Sequence, residues 1–380
     1  MQTRRNLFIL FTFIFFCSCS DAKDEDTEPT KPTPDASEET NTWLTDRYAD
    51  AATVQLYKRL ESSAEKGVMT GHHESNAYGV GWWGTAKENT SDIEKVTGYM
   101  PALVGWDFSG IDIGGNKVID GVSVEDVISH VKQVHKSGGI NTFCWHAYNP
   151  VTEKDSWTDV DKNIVKDILP KGKHYKKFRT MLQRIAEFNK KLVDDNGKKI
   201  PIIFRPWHEH TGNWFWWGAA ACTDSEYKEL WRTTVKVLRD TLGVHNFLYA
   251  YSPSATNNES HYMERYPGKD YTDILGFDDY WWDDAKYAEN MNRNINIIKS
   301  IGRKQNKVIA VTETGYEGIK DPHWFTEKLY PIIADKGLAY VLFWRNADEK
   351  HHYVPYPGHS AAQNFKEFVE KKGIILLKDN

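Results

Sequence analysis

From about residue 43 onward the chain alternates two kinds of apolar pattern. The first is a short, nearly continuous run. It recurs as Val68–Glu74, Ala102–Asp107, Ile140–His146, Ile202–Trp207, Phe247–Tyr251, Ile274–Asp278, Val308–Thr312 and Tyr340–Trp344. Runs of this length, apolar at both odd and even positions, predict strands of a parallel sheet buried on both faces. The second kind repeats at three and four residues. It aligns Leu56, Tyr57, Leu60 and Ala64 in 53–66, Val124, Val127, Ile128, Val131 and Val134 in 123–137, and Phe178, Leu182, Ile185 and Phe188 in 175–193. That spacing predicts amphipathic helices, with two more over 225–241 and 360–371. Ser123-x-x-Asp126 reads as a helix cap and Gly138-Gly139 as a stop. Eight strands joined by helices or loops predict a single α/β domain over 43–380. Its fold would be a closed (β/α)8 TIM barrel with the active site at the C-terminal ends of the strands. An open doubly wound sheet would call for a glycine-rich phosphate loop, which this chain lacks.

The first 42 residues follow neither pattern. Arg4-Arg5 and the apolar run Leu7–Phe16 have the layout of an export signal over 1–19, and the run is short for a bilayer span. Phe16-Cys17-Ser18-Cys19 resembles a bacterial lipoprotein signal, with Cys19 as the lipidated residue; an ordinary cleaved signal is the alternative. Residues 20–42 are acidic and proline-containing, without a large apolar side chain, and predict a disordered tether. Asp24-Glu25-Asp26 resembles the export tag of surface lipoproteins. The expectation is an exported protein held on the outer membrane by acyl chains, facing the cell surface or the periplasm.

Composition narrows the partners. A net charge of −5 without a basic block argues against nucleic acid. Outside the leader only Cys144 and Cys222 remain, and neither has zinc-site spacing; no metal or cofactor is expected, and a monomer is. The chain carries 15 Trp and 19 Tyr. Part of these fill the core, and part are available to pack against the flat C–H faces of sugar rings.

Polar residues gather at the predicted strand ends: Glu74, Asp107, His146, Glu209, Tyr280, Glu313 and Trp344. Pro201-Ile202-Ile203-Phe204 leads towards Glu209, which lies between His208 and His210 and is followed by Trp214, Trp216 and Trp217. Val308–Thr312 leads into Glu313. Two carboxyls at strand ends among tryptophans suggest glycoside hydrolysis, in which one carboxyl protonates the leaving oxygen and the other acts on the opposite face of the sugar. His72-His73-Glu74 and His208-Glu209-His210 invite a metal-hydrolase reading. Adjacent strand residues point to opposite faces, however, so only one histidine of a doublet can aim inward. A Gly-x-Ser-x-Gly elbow is absent.

Arg205-Pro206-Trp207-His208-Glu209 with Trp214-Phe215-Trp216-Trp217-Gly218 resembles the signature of glycoside hydrolase family 26, the β-mannanase family of the clan A retaining glycosidases. Val311-Thr312-Glu313-Thr314-Gly315 is similar to its nucleophile strand. Trp145-His146 with Asn149-Pro150, Gly276-Phe277-Asp278 with Tyr280, and Trp344-Arg345-Asn346 resemble its other strand-end motifs. The likeness runs from about residue 45 to the C-terminus. It implies that Glu209 is the acid/base, that Glu313 is the nucleophile and that Tyr280 donates to Glu313. It also implies that His208 orients the acid/base or meets the sugar, that His146 contacts the sugar at the cleavage position, and that Trp344 forms the floor there. Arg345 would bind the next sugar outward and Trp214 would stack on the leaving-group side. Further sugar-binding candidates are Trp82, Trp83, Trp281 and Trp282, with at least one ring of each doublet expected to face solvent; Asp107 would bind a sugar hydroxyl or anchor a loop. The implied substrate is β-1,4-mannan or galactomannan. Mixed-linkage glucan, β-1,3-xylan and a non-catalytic glycan-binding lipoprotein are the alternatives. Endo or mannobiose-releasing action depends on the loops after strands one, three and eight.

Overall fold

The computed structural model describes residues 42–377, apart from 159, 161–163 and 283. The expected leader with Cys19, and all but the last residue of the expected tether, lie outside them.

All eight apolar runs form strands. They are β1 (Val68–His73), β2 (Leu103–Asp107), β3 (Ile140–Cys144), β4 (Ile202–Arg205) and β5 (Phe247–Tyr251). Next come β6, in two pieces (Ile274–Leu275 and Asp278–Tyr280), and β7, also in two (Val308–Ile309 and Val311–Gly315). The last is β8 (Tyr340–Phe343). Each is parallel to its successor, and β8 pairs with β1, so the hydrogen-bonded ring closes. The barrel is therefore the (β/α)8 barrel the pattern predicts.

Period-two alternation sorts the strand residues into two cores. Met69, Leu103, Ile203, Leu248, Ala250, Tyr340 and Leu342 pack inside the ring together with Leu56 and Leu60 of the helix Ala51–Lys66. Val68, Val104, Phe143, Ile202, Phe204, Phe247, Tyr249, Val341 and Phe343 face the outer helices. The predicted cap of the helix Val124–Lys136 forms, with Ser123 Oγ accepting from Asp126 N at 3.1 Å.

Five of the eight strands, β1 to β4 and β8, are shorter than their apolar runs. β4 stops at Arg205 because Pro206 has no N–H to continue the ladder, and Trp207 then turns at φ 52°. β6 and β7 are each broken, and they approach closely at the break. A Cβ on Gly276 would lie 2.4 Å from the Thr312 side chain, so only glycine fits there. Seven of the 15 indoles are structural: Trp106, Trp145, Trp207, Trp216, Trp217, Trp231 and Trp324 are fully buried.

Candidate active site

Glu209 sits four residues past the end of β4, in a turn rather than on the strand. Trp207 and Glu209 both have left-handed backbones, φ 52° and 53°, which non-glycine residues adopt at a cost of about 1–3 kcal/mol each. The following tryptophans hold this turn. The Trp207 ring is buried against Trp145 at 4.6 Å and donates to Thr234 Oγ1 at 3.0 Å. Trp217 Nε1 donates to His208 O at 2.9 Å, and Tyr227 donates to Trp207 O at 2.8 Å. Glu209 N donates to Ser252 O at 2.8 Å, tying the turn to the end of β5. The half-buried Glu209 carboxyl accepts from Trp214 Nε1 at 2.7 Å. Burial, and then the charges of Glu313 and Asp278, push this carboxyl well above the usual range; Trp214 and Arg205 oppose the shift.

Glu313 lies in β7 and is 4 % exposed. Its two oxygens accept from the Tyr280 hydroxyl and from Arg205 Nη2. Arg205 is fully buried on the inward side of β4, in step with Ile203. Its Nη1 donates to Asp278 Oδ2 at 2.5 Å, and Asp278 Oδ1 accepts from Ser252 at 2.7 Å and Thr312 at 2.9 Å. One guanidinium thus bridges two carboxylates. Burial raises Asp278 to about 7, against the lowering pull of Arg205. Arg205 and Asp278 stand inside the sequence motifs without a role legible there. Their inward parity at strand ends was the available signal.

Asp107, His146 and His208 form a chain. His146 Nδ1 meets Asp107 Oδ2 at 2.5 Å, and His146 Nε2 meets His208 Nε2 at 3.2 Å. Burial acts to raise Asp107, but the charge and hydrogen bond of His146 and the Ser109 N–H outweigh it and hold the carboxyl below the usual range. For His146 burial acts downward, and Asp107 reverses it, so the ring is raised. Burial, and then Arg205 and His146, keep His208 well below its usual value, so it is neutral. Asp107 is itself 0 % exposed and also accepts from Ser109 N and His146 N. Its carboxylate is committed to the protein, as the loop-anchoring alternative requires.

Trp344 stacks on the inward-facing His73 at 4.3 Å and lies 5.8 Å from His146. Arg345 Nη2 pairs with Asp120 Oδ1 at 2.9 Å. Trp214 is 44 % exposed beside Glu209. Of the outer tryptophans, Trp83 and Trp282 are the open ones, 67 % and 77 % exposed. Trp282 lies 6.1 Å from Tyr280. The other ring of each doublet is half-buried. Trp281 packs inward against Tyr287, Tyr316 and Trp324. Trp82 is half-buried, with its N–H on Asp92 at 2.7 Å and one face under Lys95. Sequence spacing could not say which ring of each doublet turned out. An exposed ring outside the expected set is Trp157, 47 % exposed, which stacks on His146 at 5.1 Å. It lies in the long segment after β3, and a tryptophan in so polar a stretch was the signal for it.

Two groups of donor atoms are close enough to suggest a cation: Asp107, Cys144 and His146, and His73, Glu74 and Asp120. In the first, the Asp107 oxygens already accept three N–H groups. In the second, Arg345 and Tyr78 occupy one oxygen of each carboxyl. His210 is packed between Tyr227 and Tyr251. It does not complete a ligand set with His208.

The arrangement offers a protonated carboxyl facing a hydrogen-bonded carboxylate, walled by Trp214, Trp157, His146 and Trp344. The chain is similar to known proteins over most of its length. The model of glycosyl hydrolase family 26 matches residues 45–353. A mannan endo-1,4-beta-mannosidase of Bifidobacterium adolescentis is 30% identical over 365 residues, covering 89% of this chain and 36% of that protein. One from Bacillus subtilis (strain 168) is 30% identical over 234 residues, covering 59% and 60%. The chain therefore spans only about a third and three fifths of these two relatives. Among solved structures, the GH26 beta-mannanase BoMan26A of Bacteroides ovatus superposes with a TM-score of 0.84 at 40% identity, covering 87% of this chain and 96% of that one. GH26C from Muricauda sp. MAR_2010_75 does so at 0.82 and 33% identity, covering 90% and 96%. Barrel, paired glutamates and family match coincide over the same residues, and the chain belongs to glycosyl hydrolase family 26.

Proposed function

We propose that this protein is a β-mannanase that cleaves β-1,4-mannosidic bonds by double displacement with retention of configuration. The observation that carries the reading is the unequal environment of the two glutamates. Glu209 is held protonated by burial and by the Glu313 charge, as a general acid requires. Glu313 is gripped by Tyr280 and Arg205, which aim its two oxygens. Glu313 attacks the anomeric carbon while Glu209 protonates the departing oxygen. Glu209, now ionised, then takes a proton from the water that releases the sugar. Both steps use only the two carboxyls and water. His208 and His146 border the reacting sugar, Trp344 floors it, Arg345 serves the next sugar and Trp214 stacks on the leaving-group side. The mannanase names of the relatives favour mannan over mixed-linkage glucan or xylan as substrate.

The test is a time course of sugars released from galactomannan, linear mannan, mixed-linkage glucan and xylan. A ladder of manno-oligosaccharides from mannan is expected for internal cleavage, and mannobiose from the first time point for end-cutting. Glu209→Ala and Glu313→Ala should each lose about 10²–10⁴-fold in rate or more. Release from glucan or xylan alone would replace the substrate, and no release from any would leave a glycan-binding protein. Export and acylation at Cys19, with anchoring to the outer membrane, belong to the same proposal. Cys19→Ala should leave the protein unanchored, and unchanged membrane association would refute the anchor.

A further inference from the structure

A second pair of buried carboxyls lies beside His73, the ring on which Trp344 stacks, outside the bond-breaking machinery. Glu74 follows β1 with φ 49°, a left-handed backbone that glycine would adopt more cheaply. Its side chain is 0 % exposed. One oxygen accepts from the Tyr78 hydroxyl; the other, Oε1, is buried with no protein donor. Asp120, from the loop between β2 and the helix Val124–Lys136, repeats this arrangement. Its Oδ1 pairs with Arg345 at 2.9 Å, while Oδ2 is buried with no donor. Arg345 Nη1 also lies 3.3 Å from the Tyr78 hydroxyl, closing a ring of four side chains. His73 Nε2 is a third buried atom without a partner, and donor atoms of His73, Glu74 and Asp120 lie within 4.8 Å of one another.

Two facing carboxylate oxygens, both desolvated and both lacking a donor, repel each other. A single proton between them removes the conflict. It also balances the cluster, because one remaining carboxylate then matches one guanidinium.

We infer that Glu74 is a neutral carboxylic acid that donates its proton to Asp120, and that this acid pair, with Tyr78, positions Arg345 for the sugar beyond the cleavage site. The ionisable groups facing Glu74 are Asp120, Tyr78, Arg345, Asp107 and His73. Burial first, and then the Asp120 charge, raise its carboxyl well above the usual range, although Tyr78 and Arg345 oppose them. Asp120 is raised mainly by burial and lowered by Arg345 and by its hydrogen bond with Glu74, so the proton resides on Glu74. Glu74 is a positioning residue, because it acts on the sugar only through Asp120 and Arg345. Its positioning of Arg345 is lost in alkali, when the shared proton leaves and the two carboxylates push each other apart. The role of Arg345 in this inference rests on the mannanase reading above; the protonation of Glu74 does not.

Two measurements test it. The first is an infrared difference spectrum of the full chain, wild type minus Glu74→Gln, at neutral pH without any substrate. The C=O stretch of a protonated carboxyl is expected, and its absence overturns the inference whatever the enzyme hydrolyses. Elemental analysis of the same protein serves as a control. A stoichiometric divalent ion that is lost in Glu74→Gln would also overturn it, by replacing the proton with a metal. The second is the pH profile of kcat and KM on a manno-oligosaccharide. Glutamine can donate its amide N–H to Asp120 and accept from Tyr78, so Glu74→Gln should rescue what Glu74→Ala loses. Loss of the clamp should raise KM about tenfold in Glu74→Ala, the equivalent of one charge-assisted hydrogen bond, with kcat little changed. The alkaline rise of KM in the wild type should flatten in Glu74→Gln. A glutamine variant as impaired as the alanine one, or an unchanged alkaline rise, overturns the positioning role. A positive infrared band without mannan turnover would refute the substrate reading alone.

Discussion

Arg205 is the residue on which the proposed nucleophile and the β6–β7 seam both depend. Arg205→Met keeps the length and apolar stem of the side chain and deletes the guanidinium. Two carboxylates, Asp278 and Glu313, then lose their shared counter-ion in a site where the three side chains are 2 %, 0 % and 6 % exposed. Breaking a buried ion pair by removing one partner costs about 3–5 kcal/mol, because the charge left behind is both desolvated and unpaired. Unfolding entropy is ~2.1 cal/mol/K per residue, or ~0.7 kcal/mol/K for a domain of roughly 330 residues, so Tm should fall by about 4–7 °C. Calorimetry at one fixed scan rate measures it. Arg205→Met/Asp278→Asn separates charge from packing. Asparagine can still accept from Ser252 and Thr312, and one of the two stranded charges is gone. The double variant should recover about 1 kcal/mol or more, a coupling typical of contacting groups. If Arg205→Met melts within about 1 °C of wild type, or the double variant is no more stable than the single, Arg205 is not the buried counter-ion argued here.

Trp214→Phe removes the N–H that stabilises ionised Glu209; the protonated form gains, so the alkaline limb of kcat/KM should move to higher pH, and a downward shift would contradict the assignment. Asp107→Asn tests the Asp107–His146 pair through stability against pH. The depressed carboxyl stabilises the fold above its unfolded value of about 3.9, and loses this as pH falls through the folded value. The raised imidazole stabilises below about 6.5, and loses this as pH rises through its folded value. The difference from wild type, about 1–3 kcal/mol, should therefore be largest between about pH 4 and 6.5; a pH-independent difference would refute the pairing. Proton NMR of the first products should show β-anomers before mutarotation, as double displacement requires, whereas initial α-anomers would mean inversion.

Much of this protein is legible without coordinates. Apolar runs and helical periods count eight units because burying a strand on both faces demands apolar side chains at both parities. Glu209 and Glu313 stand out because a carboxyl ending such a run has to be placed somewhere particular. What the linear chain could not supply is orientation and partnership. Trp281 and Trp282 are neighbours of the same type, yet one is packed into a cluster of rings and the other is open to solvent. Asp107 suited a sugar hydroxyl or a loop equally well, and is consumed by His146 and Ser109. Arg205 lies 108 positions from Glu313 and 73 from Asp278, and Glu74 lies far from both Asp120 and Arg345. Such pairs are set by which strands become neighbours when the barrel closes. Burial then gives each pair its energy, because a charge or proton removed from water takes its value from whatever faces it. Period and residue type thus define the barrel and its two glutamates, while closure of the ring decides which of the remaining polar groups hold them.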